Sequence, residues 1–143
     1  MADPLSATAS AITVMLLCVQ CTQKLQGLFR SIRDVPNELM ALSNESNDLS
    51  MILEAVGDAS DIVQKHSAIN VRSIATLKQQ LSRAESIVNE LDTLIRRFEG
   101  KLLGKMQLER LAWPFKKAEV KDLQKRIKNV KLDLSNFLTT ITL

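Results

Sequence analysis

Two cysteines three positions apart, Cys18 and Cys21, are the first residues in the chain whose type and spacing suit chemistry. A Cys-x-x-Cys pair can be redox-active or can supply half of a zinc site. Both lie in an apolar segment without charge, and no second cysteine pair exists to complete four metal ligands. Thioredoxin-like chemistry also needs a strand-and-helix context, which this sequence lacks. We therefore predict buried structural thiols, with a redox or metal role as the alternative.

The remaining candidates for chemistry are a histidine and a glycine-containing segment. His66 is the only histidine, in a polar stretch, and a triad would need a nucleophile and an acid that converge on it. The segment from Gly100 to Met106 resembles a phosphate loop, but its glycines are one residue too close and Met106 replaces the required Ser or Thr. We predict a surface histidine, no cofactor, no metal, no small-molecule substrate and no enzymatic activity.

The composition is that of a globular domain made of long elements. The chain has 143 residues, of which 45% are hydrophobic and 24% charged, with only four Gly and three Pro. So few breakers favour long helices over turn-separated strands. Asp3 is the only charge before Lys24, so the positive n-region of a secretory signal is missing. We expect a cytoplasmic protein.

Apolar residues three and four positions apart predict amphipathic helices at about 5–32, 37–64, 71–99 and 116–141. Pro36 disfavours helical geometry at Val35 and so separates the first two helices, and Gly57 weakens the second by about 1 kcal/mol relative to Ala. We call the line of residues that a helix is predicted to turn toward the core its seam. The seam of the second helix is Leu39, Leu42, Ser46, Leu49, Leu53 and Val56. That of the third is Ile74, Leu77, Leu81, Ala84, Val88, Leu91, Ile95 and Phe98. That of the fourth is Val120, Leu123, Ile127, Val130, Leu134, Phe137 and Ile141.

Each of these seams needs a partner, because an isolated amphipathic helix buries nothing. We therefore predict an all-α fold, an antiparallel bundle of about four long amphipathic helices that forms one domain over 1–143. The last segment is apolar and lacks a polar tail. This ending suggests the N-terminal part of a longer protein.

Charge is divided unevenly between the two halves. Residues 1–70 carry 4 Lys or Arg against 8 Asp or Glu, a net of −4, whereas residues 71–143 carry 15 against 8, a net of +7. A solvated helix surface is the commoner explanation, and anionic lipid is the preferred functional one. Nucleic acid is disfavoured because stacking aromatics do not alternate with the basic residues. The candidate lipid-facing surface is Arg96, Arg97, Lys101, Lys105, Lys116, Lys117, Lys121, Lys125 and Lys128.

The uncharged stretch from Pro4 to Gln23 is the segment most informative for function. Twenty residues just suffice to cross a hydrocarbon core of about 30 Å, but the Ser, Thr and Gln side chains make it a poor permanent span. We expect a core helix at rest, with membrane insertion after oligomerisation left open. The candidate membrane-targeting residues are Leu5, Ile12, Val14, Met15, Leu16, Leu17 and Val19.

The order and spacing of several short motifs carry a resemblance to a known group. These motifs are MADPLS at 1–6, VPNEL at 35–39, LSNE at 42–45 and LAWPFK at 111–116. Over nearly its whole length the chain resembles the fungal N-terminal domain of NLR-like (STAND) signalling ATPases and ankyrin proteins, of the HeLo-like (HELL) helical cell-death group. The resemblance implies a bundle related to cell-death executioner domains, with residues of about 5–19 as the membrane-targeting helix.

Two functions follow as hypotheses. The leading one is a signalling or effector domain of fungal innate immunity or heterokaryon incompatibility, which self-associates and binds anionic lipid after recruitment to the plasma membrane. The alternative is a non-lytic helical interaction module, an adaptor or oligomerisation domain that docks a helical partner or another copy through the seams of the third and fourth helices.

Overall fold

A computed structural model describes the backbone of residues 4–30, 35–66, 71–103 and 117–142, and the side chains of residues 7–30, 35–62, 73–100 and 117–140. These residues form four α-helices, α1 (Pro4–Arg30), α2 (Asn37–His66), α3 (Val71–Leu103) and α4 (Lys117–Thr142). The predicted all-α bundle is confirmed. The predicted end of the first helix at 31–32 and the start of the fourth at 116 lie outside the described residues.

Consecutive helices run antiparallel, as pairs of contacting residues show. In the α1–α2 pair, Cys18 bonds to Ser46 while Ala11, further back along α1, lies beside Gly57, further along α2. By the same reasoning α3 and α4 are antiparallel, since Arg97 binds Glu119 and the earlier Arg83 binds the later Asp133.

The other two contacting pairs run parallel. Cys21 and Lys24 of α1 reach Val88 and Asp92 of α3 in the same order along the chain. Similarly, Glu38 and Glu45 of α2 bind Lys117 and Lys131 of α4. The extensive contacts are therefore α1–α2, α1–α3, α2–α4 and α3–α4. This places α1 diagonally opposite α4, and α2 diagonally opposite α3.

The predicted seams of α2, α3 and α4 form the core. Each predicted seam residue of α2 and α3 is buried, and α3 adds Ile87 and Leu94 on the side of α4. In α4 the seam is buried from Val120 to Leu134, and Phe137 is partly buried against the core. Gly57 does not end α2, which continues to His66. Because the seams of α3 and α4 face the core, the docking surface expected for the adaptor hypothesis is already occupied within the chain.

The core face of α1 is not formed by its largest apolar side chains. Ile12 is 46% and Leu16 52% exposed, so both lie at the surface, with Cγ1 of Ile12 beside Gly57 of α2. Mostly small side chains replace them. The buried residues of α1 are Ala7, Ala11, Val14, Cys18, Cys21, Thr22 and Leu25.

A ladder of three ion pairs joins α3 to α4. Its rungs are Arg83–Asp133, Glu90–Arg126 and Arg97–Glu119. Along each helix the rungs are seven residues apart and alternate in sign. If α4 were shifted along α3 by seven residues, like charges would face each other. The ladder therefore favours the observed register of α3 against α4. Exposed pairs such as these are each worth about 0.2–1 kcal/mol.

Part of the opposite charge of the two halves of the chain is paired between helices of the bundle. Lys131 of α4 lies 2.7 Å from the carboxylate of Glu45 and 3.2 Å from that of Asp48, both on the acidic helix α2. Partial burial alone lowers the pKa of Lys131, but its hydrogen bonds to the two carboxylates outweigh burial and raise it. The basic fourth helix is thus the neighbour of the acidic second helix, and their parallel pairing brings the charges together.

The Arg83–Asp133 rung allows a test of the ladder, because neither side chain belongs to another ion pair among the described residues. We expect Arg83→Asp to lower the free energy of unfolding by about 1 kcal/mol, since it sets two carboxylates against each other. The double variant Arg83→Asp/Asp133→Arg should recover most of that loss. Urea denaturation of the wild type, Arg83→Asp, Asp133→Arg and the double variant measures the coupling energy, and additive effects would show that the ion pair contributes nothing to register.

Candidate functional site

A buried hydrogen-bonded group holds α1 against α2 at mid-bundle. The Cys18 thiol donates to the backbone carbonyl of Ser46, with 3.0 Å between sulfur and oxygen. The Thr22 hydroxyl donates to the Cys18 carbonyl over 2.9 Å, and its oxygen lies 2.7 Å from the Ser46 hydroxyl oxygen. Because the Thr22 hydrogen is used within α1, the Ser46 hydroxyl donates to Thr22. Every polar hydrogen of the Cys18–Thr22–Ser46 group therefore has an acceptor.

The two cysteines are buried free thiols, as predicted, and they contact different helices. Cys18 bonds to α2, whereas the Cys21 sulfur lies 4.0 Å from the Val88 carbonyl of α3. Burial raises the pKa of Cys18 to about 11, and burial with the nearby Asp92 carboxylate raises that of Cys21 to about 12. Both thiols are neutral at physiological pH, so they add no charge to the uncharged part of α1.

The α2 surface beneath α1 is made of small and hydroxyl-bearing residues. Ser46 contacts Cys18 and Thr22 of α1, and Ser43, Ser50 and Ser60 are further buried serines of α2. Among the side chains that the structure describes, the Ser60 hydroxyl finds no hydrogen-bond partner, a defect that costs about 1–3 kcal/mol. A methyl group at Gly57 would lie 3.8 Å from the Ala11 methyl carbon, so the helices are already close at this point.

From Ala7 to Gln23 the outward face of α1 is uncharged. It carries the exposed Ile12 and Leu16 together with the exposed Thr13 and Gln20. The Thr13 hydroxyl donates to the Ala9 carbonyl within the helix over 2.9 Å. By length and composition, residues Ala7–Arg30 of α1 can cross a membrane, and only 28% of the most apolar window is buried.

The predicted membrane-targeting residues of α1 do not share one environment. Val14 is buried, Met15, Leu17 and Val19 are half-buried, and Ile12 and Leu16 are exposed as described above. The side chain of Leu5 lies outside the described residues. Ile12 and Leu16 are therefore the predicted residues that are accessible to lipid while the bundle is closed.

Three of the predicted basic residues are engaged in ion pairs. Arg96 binds Asp92, Arg97 belongs to the ladder, and Lys117 binds Glu38. By contrast, Lys121, Lys125 and Lys128 are exposed and form no ion pair with any residue whose side chain is described. Spaced by four and three residues, they form one line on the outer face of α4, which we name the lysine stripe. Lys101, Lys105 and Lys116 lie outside the residues with described side chains.

The structure does not bring the two predicted surfaces together. The outward face of α1 and the lysine stripe belong to diagonally opposed helices. They therefore point in opposite directions, and one flat membrane cannot touch both faces of the closed bundle.

Other candidates for chemistry offer less. An open groove of about 610 Å³ lies between α3 and α4, and four of its five charged residues form two ion pairs with each other, Arg97–Glu119 and Arg126–Glu90, the fifth being Glu85. Among the side chains described, no group of three or more His, Cys, Asp or Glu suits a metal ion. The side chain of His66 and residues 104–106 of the glycine segment lie outside the described part.

Sequence reasoning missed the Cys18–Thr22–Ser46 group and the ladder. Ser46 within a seam of leucines was the available signal for the first, because a serine at a core position needs a nearby acceptor. The alternating charges at 83, 90 and 97 were the signal for the second. The net charge of each half of the chain does not reveal this spacing.

One family model, described as "Pigment biosynthesis cluster protein PigL N-terminal", matches residues 2–143. The match covers nearly the whole chain and supports a helical domain of a fungal type. The match does not confirm the resemblance to the NLR-like or HeLo-like groups named above. No curated protein and no solved structure matches the chain.

Two serine variants of α2 test the polar packing against α1. Ser46→Ala removes the donor to Thr22, and we expect it to lower the free energy of unfolding by about 1 kcal/mol. Ser60→Ala removes a buried hydroxyl without a partner, so we expect it to raise that energy by a similar amount. Chemical denaturation of both variants measures the contrast. Equal destabilisation by the two changes would contradict the assigned hydrogen bonds.

Proposed function

The chain belongs to the PigL N-terminal family, and we propose that it is a non-catalytic signalling domain whose first helix leaves the bundle to target a membrane. In this proposal it acts in a fungal immune or incompatibility response, in the cytoplasm until it is recruited to the plasma membrane. The observation that carries the proposal is the small and polar packing of α1, which fully buries fewer large side chains than any other helix.

The cost of releasing a helix follows from the large side chains it buries. Among the largest fully buried side chains, α1 contributes only Val14, whereas α2 and α3 each contribute several Leu or Ile. Full burial of one such side chain is worth about 1.5–3 kcal/mol. Releasing α1 therefore uncovers fewer fully buried large side chains than releasing α2 or α3, and the partly buried Met15, Leu17, Leu28 and Phe29 leave the core with it.

A released α1 is also suited to lipid. Thr13 and Thr22 donate to carbonyls four residues earlier in the same helix, so these hydrogen bonds move with it. Its thiols stay neutral in lipid, because an apolar environment disfavours the charged thiolate. Lys24 and Arg30 stand at its C-terminal end, where long cationic side chains reach the lipid headgroups. These Thr hydroxyls, which make the sequence less apolar, therefore add little to the free energy of placing α1 in a membrane.

The lysine stripe gives the closed domain a way to approach an anionic membrane. Each Lys near such a surface contributes about 1 kcal/mol of attraction. Because the stripe faces away from α1, we assign it to recruitment of the closed bundle. Insertion is then a second step that follows the departure of α1.

The second candidate function is a non-lytic interaction module. Met51 and Ile62, exposed by 62% and 56% on the outer face of α2, favour this alternative. They would supply a docking face in place of the buried seams of α3 and α4. In that case the outward face of α1 plays no part, which distinguishes the two functions.

Leu16→Asp is the variant that separates them. Because Leu16 is 52% exposed, we expect the variant to fold with unchanged helicity and a small change in stability. We expect it to lose leakage of vesicles made of phosphatidylcholine and phosphatidylserine, since a charge on α1 opposes insertion. Met51→Asp, at the 62% exposed position on α2, is the matched control and should leak vesicles like the wild type. A folded Leu16→Asp protein with full leakage would show that the outward face of α1 is not the lytic element, which contradicts the proposal. Absence of leakage by the wild type itself would support the interaction module.

A covalent lock tests the release of α1 directly. The distance of 3.8 Å between the Ala11 methyl carbon and a methyl group built at Gly57 is the usual separation across a disulfide. We expect the Ala11→Cys/Gly57→Cys double variant, once oxidised, to be folded but inactive on anionic vesicles, and to regain leakage with a reductant.

The wild type, oxidised in the same way, is the control for the native cysteines. It should remain active, because buried thiols of raised pKa react slowly. If the locked protein permeabilises vesicles as well as the reduced one, α1 does not have to leave the bundle and the proposal fails.

A further inference from the structure

We propose that a released α1 binds the site vacated by the α1 of a second copy, so that the chain self-associates by exchanging its first helix. The inference rests on the release of α1 proposed above, but not on insertion into a membrane. It gives the self-association of this domain a defined partner surface, the face of α2 and α3 that α1 covers in the closed bundle.

The vacated site selects its occupant by hydrogen bonding. Ser46 presents a hydroxyl and a backbone carbonyl there, and both are bound by α1 residues four positions apart, Cys18 and Thr22. An apolar helix in the same site would leave the Ser46 hydroxyl buried without an acceptor. Such a loss costs about 1–3 kcal/mol, or roughly a tenfold to hundredfold weaker binding. Another α1 brings the matching groups in the matching order.

Size selects the same occupant. At Gly57 the absence of a side chain lets α1 approach closely, since a methyl group built there would lie 3.6 Å from Ile12 Cγ1 and 3.8 Å from Ala11 Cβ. On the α3 side, Cys21 lies against Val88 and Lys24 binds Asp92. A foreign helix would have to meet the small-residue, thiol, hydroxyl and charge requirements at once, whereas a second copy meets them by identity.

Chain connectivity permits the exchange. Within this chain, α1 is joined to the other helices only through the residues that follow Arg30. An exchanged helix makes the same contacts as in the closed monomer, so the two forms differ mainly in the linking segment and in the entropy of association. Two copies can exchange reciprocally into a closed dimer, or in one direction into an open chain.

A mixing experiment tests the exchange without lipid. One full-length protein carries Ala11→Cys alone and a second carries Gly57→Cys alone, and the two are incubated together and oxidised. A disulfide between these positions forms across copies when α1 of the first occupies the site of the second. We expect a covalent heterodimer on a non-reducing gel, with a yield that rises with protein concentration. Thr13→Cys, at an exposed position on the outer face of α1, replaces Ala11→Cys as the collision control and should give at least tenfold less heterodimer.

A second pair keeps the test decisive if either variant folds poorly by circular dichroism. The sulfur of Cys18 lies 3.5 Å from the Ser46 hydroxyl oxygen, so the wild type can be mixed with a Cys18→Ala/Ser46→Cys variant, in which this link forms only between copies. Heterodimer at or below the collision level for both pairs would overturn the exchange. The locked double variant is read separately by vesicle leakage, so failure of exchange and failure of membrane targeting are distinguishable.

Discussion

The close contact of α1 with α2 is the constraint that sets the arrangement of the helices in the closed bundle. Small side chains at Ala11 and Gly57 let the helices approach, and the Cys18–Thr22–Ser46 group then fixes their rotation and register. With α1 on one flank of α2, its other flank meets α4, where carboxylates of α2 bind Lys131. The diagonal placement of α1 and α4, and hence the separation of the two candidate surfaces, follows from this arrangement.

Two kinds of packing divide the molecule. α3 and α4 present large aliphatic side chains, and their register is specified by a ladder of charges, so burial stabilises them without directional bonds in the core. α1 instead relies on hydrogen bonds that require particular partners, and it leaves Ile12 and Leu16 in solvent. Elements with few buried apolar contacts are the ones that open locally at low free energy. The large aliphatic side chains that stabilise the bundle therefore lie mostly outside α1, whereas α1 is held by hydrogen bonds that require particular partners.

The sequence was sufficient for the helices and for three of the four core faces. Leucine, isoleucine and valine at steps of three and four leave little choice about which side of α2, α3 and α4 is buried. α1 could not be oriented in this way, because apolar residues surround the helix and the core accepts its small side chains instead. By hydropathy Ile12 would be a better core residue than Ala11. The short distance between α1 and α2 instead favours the small Ala11 as the buried residue. Only packing geometry contains that information.

Release of α1 links the two proposed activities. A single α1 cannot occupy lipid and the groove of another copy at once, so within one copy the two destinations compete. Across several copies they cooperate, because every α1 that enters a membrane vacates a site that the α1 of the next copy can fill. The filled site restores the hydrogen bonds of Ser46 and covers the exposed core of a copy that has lost its own α1. Membrane insertion of one copy would then stabilise the open form of its neighbour, so that self-association and targeting arise from one conformational change.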